Sequence, residues 1–179
     1  MVYNQIHKTM KKVIFILTVS MSVAFSQNAR AQGTIVDVAS GNDNFSTLVA
    51  AIKAADLVEA LQGAGPYTVF APTNDAFAKI DEATLNSLLE KDNQKTLANI
   101  LTYHVIPGKL TAKEVMTALK KGNGKAELKA LNGGTLTVTQ KDGKIWLKDQ
   151  KGNYSEITAT DIMGSNGVIH VIDTVVMPK

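Results

Sequence analysis

Cysteine is absent from the 179-residue chain. This excludes a disulfide framework, a thiolate zinc site and lipid attachment through a cysteine thiol. Arginine is almost as scarce: Arg30 stands alone, so the planar fork that pairs bidentately with phosphate or guanine is missing from the rest of the chain. Aromatic residues make up 6%, too few for the stacking platform on which single strands are bound. A nucleic acid partner is therefore not expected. Beyond the first 31 residues there are two histidines, His104 and His170, whereas a zinc site draws three or four protein ligands. There is no G-x-S-x-G elbow, and Gly122-Asn123-Gly124 lacks the flanking strand and helix of a phosphate cradle. The sequence predicts neither catalysis nor a metal or other cofactor.

What is present is an ordinary globular composition, 45% apolar and 20% charged. A folded body of about 150 residues buries roughly 70% of the surface its unfolded chain exposes, enough for a core without crosslinks. The net charge of +3 is misleading. Lys8, Lys11, Lys12 and Arg30 supply four of the nineteen basic residues, leaving fifteen lysines against sixteen acidic residues. Those early lysines precede Val13 to Phe25, an apolar run interrupted by Thr18, Ser20 and Ser22, and Ala29-Arg30-Ala31 follows with a small-x-small pattern. This is the three-part layout of an export signal, and the run is shorter than the ~20 residues that cross a bilayer core. Residues 1–31 are thus expected to be a signal peptide, cleaved after Ala31 or Ser26. The mature part, 33–179, is expected to be one domain without a membrane span, monomeric, and delivered to the periplasm, the cell surface or the exterior.

The mature half nearest the leader is helix-patterned and the other half strand-patterned, which predicts an α+β fold. Phe45, Leu48, Val49 and Ile52 share one helical face, with Asn44 placed to cap it. Asp56 and Glu59 are spaced to cap a short helix through Leu61, and Leu85, Leu88, Leu89, Leu97, Ile100 and Leu101 continue the helical period. Thr111 to Glu114 reads as a capping box that opens a helix burying Val115, Met116 and Leu119. From Lys125 the period becomes two. Thr135 to Thr139 alternates, Asp142-Gly143 turns into Lys144 to Lys148, and Gly152-Asn153 turns into Tyr154 to Thr158, a three-stranded meander. Val168 to Ile172 is apolar except for His170 and is expected at the centre of a sheet covered on both faces.

Three segments carry a resemblance. Tyr67-Thr68-Val69-Phe70-Ala71-Pro72-Thr73-Asn74-Asp75-Ala76-Phe77, then Tyr103-His104, then Asn166 to Asp173 with Met177-Pro178 stand in the order found in fasciclin domains, and the chain is identified as resembling that family over nearly all of its mature length. The resemblance implies a β-sandwich-like wedge with helices packed beside it. It also implies an adhesive role, with a protein or polysaccharide of a cell surface or matrix as partner. Asp161-Ile162-Met163 is similar to part of an integrin-contact motif in animal relatives, although Ala159-Thr160 stand here where those have Glu-Pro. The candidate contact residues are Tyr103, His104, Asp161 and Ile162. Each has a packing alternative: the imidazoles as core groups held by hydrogen bonds, and Ile162 with Met163 packed inward. A second function class is a carrier for an apolar ligand or haem, with His104 or His170 as axial group. The lysines of the second half, interspersed with Glu127, Asp142 and Asp149, read as a solvated face, or alternatively as one that attracts an anionic polysaccharide.

Overall fold

The computed structural model describes residues 33–179, so the expected signal peptide lies outside the described residues. Helix α1 (Ile35–Ser40) is followed by a 3₁₀ turn (Asp43–Phe45), α2 (Ser46–Ala54) and α3 (Val58–Gln62). Strand β1 (Tyr67–Pro72) leads into α4 (Asn74–Ala78), α5 (Glu82–Leu89), a second 3₁₀ turn (Lys91–Asn93) and α6 (Gln94–Tyr103). Then come β2 (Val105–Pro107), α7 (Ala112–Lys121), β3 (Lys125–Lys129), β4 (Thr135–Lys141), β5 (Lys144–Lys148), β6 (Tyr154–Gly164) and β7 (Gly167–Ile172). The strands form one seven-stranded sheet in the order β2-β1-β7-β6-β5-β4-β3. The fold is α+β, as expected.

The expected meander of three strands is part of a longer one, since β3 to β7 pair antiparallel in succession. At its end β7 lies parallel to β1, Tyr67 opposite Gly167 through Pro72 opposite Ile172. All six residues of β7 are buried, and strand alternation divides the core between the two faces. Val69, Ala71, Ile169 and Val171 join Ile35, Leu48, Ile52, Leu97 and Leu101 beneath the helices. On the opposite face Phe70 and Ile172 join Leu136, Val138 and Leu147 of β4 and β5, with Val115 and Leu119 of α7. β1 with β7 thus forms the layer between two cores.

Two helix starts differ from expectation, because distant or reassigned side chains do the capping. Asn44 lies inside the first 3₁₀ turn, and Asn42 accepts from its amide at 3.0 Å. Helix α2 begins after that turn, and its Thr47 amide is taken by Asn74 Oδ1 at 3.0 Å, while Asn74 Nδ2 donates to Asp43 O at 2.8 Å. Asp56 does not open α3. It ends α2 at φ 57°, with the Leu57 amide donating to Ile52 O and the Asp56 amide to Lys53 O, both at 3.1 Å, the pattern of a left-handed helix stop. The Thr111–Glu114 capping box is present. So is the Asp142-Gly143 hairpin turn, with positive φ at both residues (53° and 76°).

Candidate functional site

Tyr103 and His104 close helix α6, and both are buried, 0% and 2% exposed. The Tyr103 hydroxyl donates to Thr135 O at 2.7 Å and accepts from the Gln150 amide at 3.2 Å. Burial pushes its pKa up. A Cβ on Gly134 would meet the Tyr103 ring at 2.8 Å, so a glycine there leaves room for the ring. His104 Nδ1 bonds Ile100 O at 2.8 Å, and the Val176 amide donates to Nε2 at 3.3 Å. With one nitrogen facing an acceptor and the other a donor, the ring is neutral, and burial pushes its pKa down to about 4. As candidate contact residues, Tyr103 and His104 have little surface to offer. They fasten α6 to β4, to the β5–β6 turn and to the C-terminal segment.

His170 is buried as well, 1% exposed, with its ring centroid 5.7 Å from that of Phe70. Its Nε2 bonds Leu110 O at 2.6 Å, and its Nδ1 accepts from the Asp161 amide at 3.3 Å. Thr68 Oγ1 donates to Gly108 O at 2.7 Å and accepts from the Leu110 amide at 2.8 Å. The loop from Gly108 to Thr111 is thereby clamped to β1 and β7 from below. Asp161 completes the clamp from above, its carboxylate accepting from the Ala112 amide at 2.9 Å at the start of α7.

Asp161 sits in an unusual stretch of strand. Opposite β7 the pairing runs Ile157 with Ile172, Ala159 with Val171, then Ile162 with Ile169, so β6 carries one extra residue in each of two intervals. These are two successive bulges. Between them Thr158, Ala159, Thr160 and Asp161 are all exposed, and Asp161 adopts φ 61°. Strand β5 pairs with β6 only from Tyr154 to Glu156, so among the described residues this stretch has a strand neighbour on one side alone. Ile162 is partly buried and packs against the helical core, as its packing alternative held. The candidates therefore fall into two places: Tyr103 and His104 are buried, whereas Asp161 is exposed with the partly buried Ile162 beside it.

Two further polar residues make long-range or turn-closing hydrogen bonds whose role sequence reasoning did not assign. Asp149 is 4% exposed; its carboxylate accepts from the Asn153 amide and side chain and from the Met177 amide, at 2.8, 3.0 and 3.1 Å. Its spacing from Asn153 across a glycine turn was the available signal. Asn166 accepts from the Ile35 amide at 2.9 Å and donates to Leu61 O and Gly63 O at 2.8 and 2.9 Å; its partners lie more than a hundred residues away, which no local pattern shows.

Neither His104 nor His170 has a ring nitrogen free to serve a haem as axial group. The apolar space among Ile35, Leu48, Ile52, Leu61, Val69 and Ile169 amounts to about 10 Å³, room for no more than about one water.

Comparison with known proteins places these features in context. Residues 43–178 match the Fasciclin domain family. Protein sll1483 of Synechocystis sp. is 51% identical over 162 residues, covering 90% of this chain and 83% of that protein. Transforming growth factor-beta-induced protein ig-h3 of Sus scrofa is 42% identical over 146 residues, 82% of this chain but 19% of that longer protein. Among solved structures, a FAS1 domain pair from the insect cell adhesion molecule fasciclin I superposes with a TM-score of 0.71 at 18% identity, covering 81% of this chain and 51% of that one.

Proposed function

The chain belongs to the Fasciclin domain family, and on that premise we propose that it is an exported, non-catalytic interaction module that binds a component of a cell surface or extracellular matrix. Its contact is centred on the bulged segment of β6, with Asp161 as the polar group and Ile162 as the apolar anchor beneath it. The observation that carries this reading is the conformation of Asp161. A non-glycine residue at φ 61° inside a strand costs of order 1 kcal/mol or more and persists only where its surroundings over-determine it. Here His170 and the Ala112 amide hold it from two sides. The result is an exposed, irregular strand edge whose bulges disfavour strand pairing and re-aim side chains outward, a surface suited to docking through side chains. Absence of catalysis is supported by the two histidines, whose nitrogens are spent on backbone partners within the core. An extracellular site of action is supported by the export pattern and by the likeness of the fold to that of the insect cell adhesion molecule fasciclin I.

Retention of the protein on its native envelope fraction tests this directly. Asp161→Asn keeps the acceptor for Ala112 and the tolerance for positive φ but removes the charge, and Thr160→Arg adds bulk to the exposed edge. Each is expected to weaken retention about tenfold, equivalent to about 1.4 kcal/mol. Retention unchanged in both variants would remove β6 as the contact.

A further inference from the structure

A different surface lies on the outer side of the meander. The inward row of β3, β4 and β5 is apolar, with Leu136, Val138 and Leu147 fully buried. Strand alternation therefore turns Lys125, Thr139, Trp146 and Glu156 outward in one cross-strand row, and Glu127, Thr137, Lys148 and Tyr154 in the next. With Lys129, Lys141 and Lys144 from the same alternation, five lysines face two glutamates. The single tryptophan of the chain, partly buried, and a tyrosine that is 52% exposed stand on this otherwise hydrophilic face.

The rings border an open pocket of about 650 Å³, lined by Lys125, Thr139, Gln140, Lys141, Trp146 and Tyr154. Lys144 is paired with Glu156 at 2.8 Å, and Lys148 Nζ lies 5.5 Å from the Tyr154 ring centre, a cation–π contact that steadies the ring. Among the described residues Lys125 and Lys141 are in no ion pair, which leaves two ammonium groups at the pocket for an outside anion.

We propose that this pocket binds an acidic polysaccharide of the uronic acid type, through a surface separate from the β6 contact. Aromatic faces present a flat, weakly negative surface to the C–H faces of a sugar ring. Thr139 and Gln140 offer donors and acceptors to its hydroxyls, and the unpaired lysines complement its carboxylates. A polymer with one carboxylate per ring meets all three features repeatedly along an open groove. An acidic protein would use the lysines but leave the aromatic and hydroxyl-bearing positions without purpose.

Because Trp146 is the only tryptophan, fluorescence reports on this pocket without labelling. Titration of the purified protein with polygalacturonate is expected to shift or quench its emission, with an affinity that falls as salt rises; dextran, uncharged, and polyglutamate, charged but without sugar, are expected to do so at least tenfold more weakly. Affinity electrophoresis in gels containing polygalacturonate needs no tryptophan and reads the variants. Trp146→Ala and the exposed pair Lys125→Gln with Lys141→Gln are each expected to lose at least tenfold in retardation, while Trp146→Phe, which keeps a ring, retains most of it. Polyglutamate binding as tightly as polygalacturonate would overturn the proposal in favour of a charge-only surface, and so would undiminished retardation of Trp146→Ala or of the lysine double variant.

Discussion

His104 shows how one buried side chain makes stability depend on pH. Its neutral ring accepts from the Val176 amide through Nε2, and adding a proton there would set a donor against a donor inside the core. Burial holds the folded value at about 4, below the ordinary histidine value near 6.5. A lowered histidine contributes its full stability above about pH 6.5 and loses it as pH falls toward 4, a loss of about 3 kcal/mol in all. Thermal unfolding of the wild type is therefore expected to drop more steeply between pH 6.5 and 4 than that of His104→Gln, whose amide can bond the same partners without titrating; parallel slopes would assign the acid sensitivity elsewhere. Asp173 contributes another part with the same sign. Partial burial raises its carboxyl, but the Glu156 amide and the Lys79 ammonium at 3.2 Å outweigh this and lower it overall, so its share is also lost on acidification, below the ordinary carboxylate range. At this scale the sequence allowed His104 and His170 as hydrogen-bonded core groups, because a lone histidine among apolar neighbours must have its nitrogens satisfied. It did not exclude them as contacts, since exposure is not a local property.

Among the elements, β6 departs furthest from its sequence pattern. Tyr154 to Thr158 reads as a short strand after a turn, yet the strand continues to Gly164 through two bulges. Thr158 to Asp161 has no apolar alternation and all four side chains are exposed, so the period-two signal stops there; pairing with β7 carries the strand on. Left-handed backbone at Asp161 then restricts which residues the bulge tolerates. Asp161→Asn is expected to leave stability within about 0.5 kcal/mol, since asparagine accepts positive φ and can still bond the Ala112 amide. Asp161→Val is expected to cost about 2 kcal/mol, because it lacks the acceptor and its branched Cβ is strained there. Urea midpoints compare the two, and equal midpoints would show the bulge to be unstrained. Where caps were local in sequence, as in Thr111 to Glu114, the helix start was legible; where Asn74 reaches across to α2, it was not.

For the whole molecule, the parallel pair of β1 and β7 supplies both faces of the interior, so the two cores are built on shared backbone. Leu48 lies in the helical core and Leu136 in the meander core, 3% and 0% exposed. Leu48→Ala and Leu136→Ala are each expected to cost about 2 to 5 kcal/mol, and each is expected to lower the midpoint of one common unfolding transition. Fluorescence of Trp146 follows the meander and far-ultraviolet circular dichroism follows the helices; separate transitions by these two probes would mean that the cores unfold independently.

Composition, periodicity and turn residues determined the class of fold, the buried β7, most helix positions and the Asp142-Gly143 hairpin, because each depends on side chains within a few residues of one another. Tertiary structure alone decided that Tyr103 and His104 lie inside, that Asp161 is held rigid at a doubled bulge, that Asn166 joins segments a hundred residues apart, and that Trp146 and Tyr154 share a lysine-rich outer face. Those outcomes depend on which strands become neighbours, and strand order is set by the packing of the entire chain.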